Sequence, residues 1–284
     1  MNGSVANFLH FTDTRIVWIF RLVHPPSTIH EFPFSVISLM QIFPLSEGAY
    51  TVGRTRTFIP FEPGKDDLQK RETGSLLVEI QPFVVVTKND VLLLDTGLGF
   101  EGEGELRLYR LMKAAGIDPG SVTKVLMSHL HKDHVGGMGK NLPDGSRVAA
   151  FPQAKYYVQQ RELEYANEKG SKSYQPESFA FLNGFPNLVK LEGNGKIDGY
   201  IRYELTGGHC PFHQVFHIEE DGQHFFFGGD VAPQLNQMKS RFVAKYDYDG
   251  KKCMELRQQW WEEGKQEHWV FMFYHDIKTP VYNG

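Results

Sequence analysis

From residue 41 onward the chain alternates short apolar runs with turn residues. Residues 49–53, 75–80, 83–87 and 90–95 are rich in Val, Leu, Ile and Tyr, and each predicts a strand. Asn89-Asp90 predicts a hairpin turn between the last two. The run Val91-Leu92-Leu93-Leu94 has no polar face, so it predicts a strand covered on both sides. Leu106, Leu108, Leu111 and Met112 then recur at helical intervals, predicting a helix over 104–115 that stops at Gly116. A strand is predicted at 122–127 and a helix starting at Asp133, with Gly136-Gly137 allowing close packing.

The second half repeats the scheme. Strands are predicted at 147–151 and 155–158, a helix at 159–168 with Gly170 after it, and a loop at 171–187. Strands follow at 188–191, 200–205, 213–218 and 224–228, with a turn at Glu220-Asp221-Gly222. A helix over 254–264 and a strand over 269–274 close the chain. Two rounds of strands then helix predict an α/β fold: two mixed sheets face to face with outer helices. Residues 1–39 have no clean period and carry Pro25-Pro26. They read as an extension peripheral to a catalytic domain at 40–284; an arm that packs on a partner subunit, in a homodimer, is the competing reading. A chain starting at Met40 is expected to keep activity and metal content, which loss of either would contradict.

Candidate chemistry sits where these elements break. His129-Leu130-His131-Lys132-Asp133-His134 places three imidazoles and a carboxylate in one short loop. His129 and His131, two apart, point to one side of an extended strand end. Asp133 and His134 follow after the chain turns. Such a cluster suits two first-row metal ions. Three later strands each end in a further ligand type: His209 after Gly207-Gly208, Asp230 after Gly228-Gly229, and His275 after Phe273-Tyr274. Strand tips converge at one sheet edge, where sites in layered α/β proteins form.

This ligand order resembles that of the metallo-β-lactamase superfamily of hydrolases. The HxHxDH motif at 129–134, His209, Asp230 and His275 carry the resemblance, together with Leu93-Leu94-Asp95-Thr96-Gly97 and Ala115-Gly116-Ile117-Asp118. It covers about residues 40–284. Within the superfamily the chain is most similar to the branch of quorum-quenching N-acyl-homoserine lactonases and methyl-parathion-hydrolase-like organophosphate hydrolases. The resemblance implies an αββα sandwich and two divalent ions, zinc first among them. It assigns His129, His131 and His209 to one ion, Asp133, His134 and His275 to the other, and Asp230 to both. It also implies attack by a bridging hydroxide on a carbonyl or phosphoryl centre, with Asp133 orienting it and moving its proton.

Asp95 and His213 are expected behind the ligands, fixing imidazole tautomers. Phe179, Phe181, Phe185, Phe212 and Phe242 are candidates for an apolar substrate wall. One departure stands out: several homoserine lactonases have Tyr three residues after the shared Asp, and here that position is Pro233. The leading expectation is cleavage of a lactone or ester. Phosphotriesterase or arylesterase activity, a mononuclear iron persulfide dioxygenase, and a non-catalytic metal-stabilised binding protein are the alternatives.

Composition narrows the classes. A net charge of −4, without Lys/Arg runs, gives no basic field for nucleic acid, so a small-molecule substrate is expected. No stretch reaches the ~18 apolar residues of a membrane span, and Ile16–Phe20 is cut short by Arg21 with no basic lead-in, so the expected location is cytoplasmic. The two cysteines, Cys210 and Cys253, do not make a disulfide scaffold. Cys210 beside His209 reads as a small apolar filler rather than a metal-adjacent thiol. His217, His224 and His268 read as surface or strand-packing residues.

Overall fold

The computed structural model describes residues 40–169 and 172–284. The expectations for residues 1–39 and for the stop at Gly170 lie outside the described residues. The first six-stranded sheet runs Gln41–Pro44, Phe83–Val86, Val91–Leu94, Lys124–Leu126, Lys155–Gln159 and Leu188–Leu191. Its first three strands pair antiparallel and the rest parallel, so the sheet is mixed. The second six-stranded sheet runs Gly195–Ile197, Ile201–Leu205, Gln214–Glu220, Gln223–Phe227, Val270–Met272 and Val281–Asn283. A three-stranded sheet of Phe58–Phe61, Gly48–Val52 and Leu76–Ile80 adds an arm.

Period-two alternation explains the layering. Leu92 and Leu94 share one buried cluster with Phe216, Phe225, Phe227 and Met272 of the second sheet, so the two inner faces pack together. Leu93, between them, points the other way. It packs with Leu108 and Met112 of the helix Arg107–Ala114 and with Leu163 and Ala166 of the helix Gln160–Lys169. Phe226 likewise turns outward to meet Trp260 of the helix Gly250–Gln266. The result is the expected αββα sandwich, and it accounts for the all-apolar run at 91–94.

Several elements differ from the sequence reading for local reasons. The helix predicted from 104 starts at Arg107, because Glu103 and Gly104 take positive φ (57° and 77°) in a hairpin turn. The helix predicted from 254 starts four residues earlier, capped by the Asp249 side chain on the Lys252 N–H. Phe58–Phe61 was not legible as a strand because Pro60 interrupts it. Within the predicted loop at 171–187, two short 3₁₀ turns, Pro176–Ser178 and Ala180–Leu182, tie down the chain.

His217 and His224 are more than packing. Their rings meet across the antiparallel pair, Nδ1 to Nε2 at 2.9 Å, against Trp269. Burial, then Arg202 and His224, push the His217 pKa from 6.5 down to about 2. The folded chain therefore keeps His217 neutral while the unfolded chain protonates below 6.5, so stability falls as the pH drops from 6.5 towards about 2. Replacing His217 with Gln is expected to flatten that loss by up to about 1.4 kcal/mol per pH unit. Urea denaturation across the acid range checks this; an unchanged slope would contradict it.

Candidate metal centre

The loop His129–His134 follows the strand Lys124–Leu126 of the first sheet, while His209, Asp230 and His275 follow three strands of the second. The Nε2 of His209 lies 3.0 Å from the Nδ1 of His131. Ligand atoms of His129, His131, His209 and Asp230 all fall within 4.8 Å of one another, as do those of Asp133, His134 and His275. Asp230 faces both groups. Its Oδ2 is 3.2 Å from His209 Nε2 and 4.0 Å from His129 Nε2, and its Oδ1 is 3.2 Å from His134 Nε2 and 3.0 Å from His275 Nε2.

These contacts fit metal ions better than hydrogen bonds. The buried Nε2 atoms of His129 and His134 and Oδ1 of Asp230 have no partner with hydrogen-bond geometry. Buried polar atoms seldom stay unsatisfied, and three in one cluster call for a shared cation. Among protein charges alone, burial followed by His134 and His131 holds His129 well below the ordinary imidazole range. Burial opposes charge on His134 and Asp230 as well. Asp230, Asp133 and Asp95 overcome it and raise His134, while His275, His134 and His209 overcome it and depress Asp230. Neutral His129 beside ionised Asp230 offers donors that divalent zinc takes, and the carboxylates that raise His134 would favour such a cation in place of its proton.

The other face of each imidazole is held. Asp95 receives His134 Nδ1 at 2.7 Å, and also the Ser128 N–H (2.7 Å) and hydroxyl (2.6 Å). Asp95, His129 and His134 also approach one another, but the Asp95 oxygens are committed to these bonds, which leaves it an orienting group. Ser128 Oγ in turn contacts His129 Nδ1 at 3.0 Å. His213 Nε2 accepts the Asp230 backbone N–H at 3.1 Å, fixing the loop. His275 Nδ1 donates to the Glu79 carbonyl at 2.7 Å. Asp276 accepts the N–H groups of Leu235, Lys278 and Thr279, a capping role.

Two supporting carboxylates escaped the sequence reading. Asp247 accepts from His209 Nδ1 at 2.8 Å, but nothing in Lys245–Asp249 marks it. Glu162 is buried on the helix Gln160–Lys169, accepting the Leu130 N–H (3.0 Å) and the Tyr174 hydroxyl (3.1 Å). Cys210 lies 3.4 Å from the same carboxylate, and burial followed by Glu162 raises its thiol well above the usual range. Its sulfur is turned to Glu162 and belongs to neither ligand cluster. Replacing Asp247 with Asn is expected to weaken metal binding by about 10- to 100-fold in a chelator competition. Unchanged affinity would remove Asp247 from this role.

The clusters open into a cavity of about 370 Å³ lined by His131, Asp133, His209, Asp230, Pro233 and His275, with Phe58, Phe242 and Tyr246 around them. Of the five phenylalanines expected at a substrate wall, Phe242 is there. The other four, contrary to expectation, lie away from it. Phe179 is buried in the core beneath the first helices, and Phe181 and Phe185 pack on Tyr156. Phe212 sits between Tyr165 and Arg161. Aromatic content alone does not separate wall from core.

A two-sheet sandwich with paired His/Asp clusters at one edge defines a metal-site protein of the αββα class. The family model of the metallo-beta-lactamase superfamily matches residues 79–260, and the chain belongs to that superfamily. It is similar to the N-acyl homoserine lactonase AttM of Azorhizobium caulinodans, 36% identical over 121 residues, a match covering 37% of this chain and 39% of that relative. The N-acyl homoserine lactonase AiiA of Bacillus thuringiensis subsp. kurstaki is 24% identical over 226 residues, covering 72% and 84% of the two chains. In fold it is similar to AidC, a dizinc quorum-quenching lactonase solved with the product N-hexanoyl-L-homoserine (TM-score 0.64, 18% identity, 85% and 89% covered). No helix among the described residues is long and apolar enough to cross a membrane.

Proposed function

We propose that the protein is a metal-dependent hydrolase that opens a lactone or cleaves an ester, with zinc as its metal. The observation that carries this is Asp230, whose two oxygens face separate imidazole clusters on a cavity of about 370 Å³, a size suited to a small molecule. His129, His131 and His209 would hold one ion, Asp133, His134 and His275 the other, and Asp230 both. Bound there, divalent ions supply Lewis acidity and make water acidic enough to attack at neutral pH.

The chain's own residues do the rest. Asp133 is half-buried on the cavity wall, with Oδ2 3.7 Å from both His134 and His275 Nε2. Its carboxylate takes the proton of the attacking water and returns it to the leaving oxygen. Tyr274 keeps Asp133 in place: its hydroxyl donates to the Asp133 carbonyl at 2.6 Å, and its ring stacks on His134. Pro233 offers no hydroxyl, but Tyr246 lies on the same wall near His209. Burial pushes its pKa up to about 12, so it remains a donor for a substrate oxygen.

N-acyl-homoserine lactones are the first substrates to try, given the names of the relatives. The test is metal analysis of the purified protein, then turnover of acyl-homoserine lactones, aryl esters and phosphotriesters before and after chelation and metal return. Lactone or ester cleavage restored by zinc is the expected result. Phosphotriester turnover alone would move the protein to that class. Iron content with O₂ uptake on glutathione persulfide would replace the hydrolase reading.

A further inference from the structure

The cavity wall carries charge that the proposed chemistry does not use. Arg56, Arg71 and Lys132 all line it and are half-buried. Among the described residues none of the three forms an ion pair. Arg71 spends only its Nε, on the Leu68 carbonyl at 3.1 Å, and the Lys132 ammonium sits 5.6 Å from the Phe58 ring centre. The two buried cations elsewhere among the described residues are spent on partners, Lys124 on Asp90 and Asp198 and Arg257 on the carbonyls of Val231 and Phe242. The acidic groups on the cavity wall, Asp133 and Asp230, are turned to the histidines. Ser75 adds a buried hydroxyl on the same wall with no hydrogen-bond partner. Cations without counter-charge on a cavity wall, beside a hydroxyl with no partner, form a ready seat for an anionic group.

We infer that the substrate carries an acidic group, a carboxylate or a phosphate, at the end remote from the bond that is cut. Arg56 and Arg71 line the cavity from a segment that contributes no ligand to the clusters, which leaves them for a group other than the one that is cut. Phe58 and Phe242 add apolar surface to the same wall for the uncharged part of the substrate. Guanidinium groups bind either anion through paired N–H donors. An uncharged acyl-homoserine lactone would leave these cations unmatched. The inference rests on the hydrolase reading for the bond that is cut, but the anion contact is measurable without turnover.

The experiment compares 4-nitrophenyl esters of equal length: the monoester of adipic acid, its terminal-phosphate counterpart, and the neutral heptanoate. The zinc-loaded protein is expected to favour one or both anionic esters by about tenfold to a hundredfold in kcat/KM. That preference is expected to shrink in about 0.5 M NaCl and to collapse towards unity in Arg56→Gln/Arg71→Gln. In parallel, calorimetry measures binding of the uncleavable hexylamides of the same acids to the wild type and to the double variant. Tighter binding of an anionic amide, lost in the variant, supports the inference even if no ester is cleaved, a result that would sink the hydrolase reading alone. Equal binding of charged and neutral amides, no detectable binding of either, or a charge preference that survives in the variant would overturn the inference, even with esters turned over. The carboxylate and phosphate arms identify which acid the cavity takes.

Discussion

Replacing Asp230 with Asn is expected to strip the centre of at least one metal ion and lower kcat/KM about a thousandfold. The cause is geometric as well as electrostatic. Each carboxylate oxygen faces a different imidazole cluster at 3.0–3.2 Å. Asn offers one acceptor, so its amide NH₂ must face either His209 or the His134–His275 pair. The ions would also keep Asp133 as their one carboxylate among the seven ligands. The fold should persist, because the backbone N–H of residue 230 still reaches His213. Metal analysis by mass spectrometry, with circular dichroism as the folding control, checks this. Two ions bound with near-normal turnover would mean that Asp230 is not the shared ligand.

A comparably large effect is expected from one methyl group. Gly229 has φ +47°, and a Cβ there would lie 2.7 Å from His213 Nε2 and 2.8 Å from Ser128 Cβ. Both neighbours are fixed, His213 by the Asp230 N–H and Ser128 by Asp95. Gly229→Ala therefore combines left-handed backbone strain with overpacking, together about 2–5 kcal/mol of stability. It should also displace Asp230 and weaken metal binding. Gly145→Ala is the matched control, since Gly145 has φ +83° with nothing within 4 Å of its added Cβ. Chemical denaturation of both chelated variants decides the matter. Equal losses would show that contact with His213 and Ser128 is not what restricts residue 229.

The sequence revealed the parts of this molecule that depend on short-range pattern. The HxHxDH loop, the glycine-flanked His209 and Asp230, and the all-apolar strand 91–94 are each local, and each lies where pattern put it. Asp95 was legible because it follows a buried strand directly. Asp247 and Glu162 were not, because their roles come from contacts 38 and 32 residues away in the chain. The phenylalanines show the same limit: Phe242 reaches the cavity and Phe179 the core, though both are simply apolar in sequence. The arm Phe58–Phe61 was hidden by Pro60, and with it the placement of Arg56 and Arg71 at the cavity.

The distribution of ligands between the sheets reaches beyond catalysis. His129 to His134 hang from one layer, and His209, Asp230 and His275 from the other, so a nascent chain holds a full set only after the strand Val270–Met272 has docked. Ions held by these residues would thus report the docking of the two layers and would act as a clasp across the seam between them. Chelation should accordingly quicken unfolding more than it slows refolding.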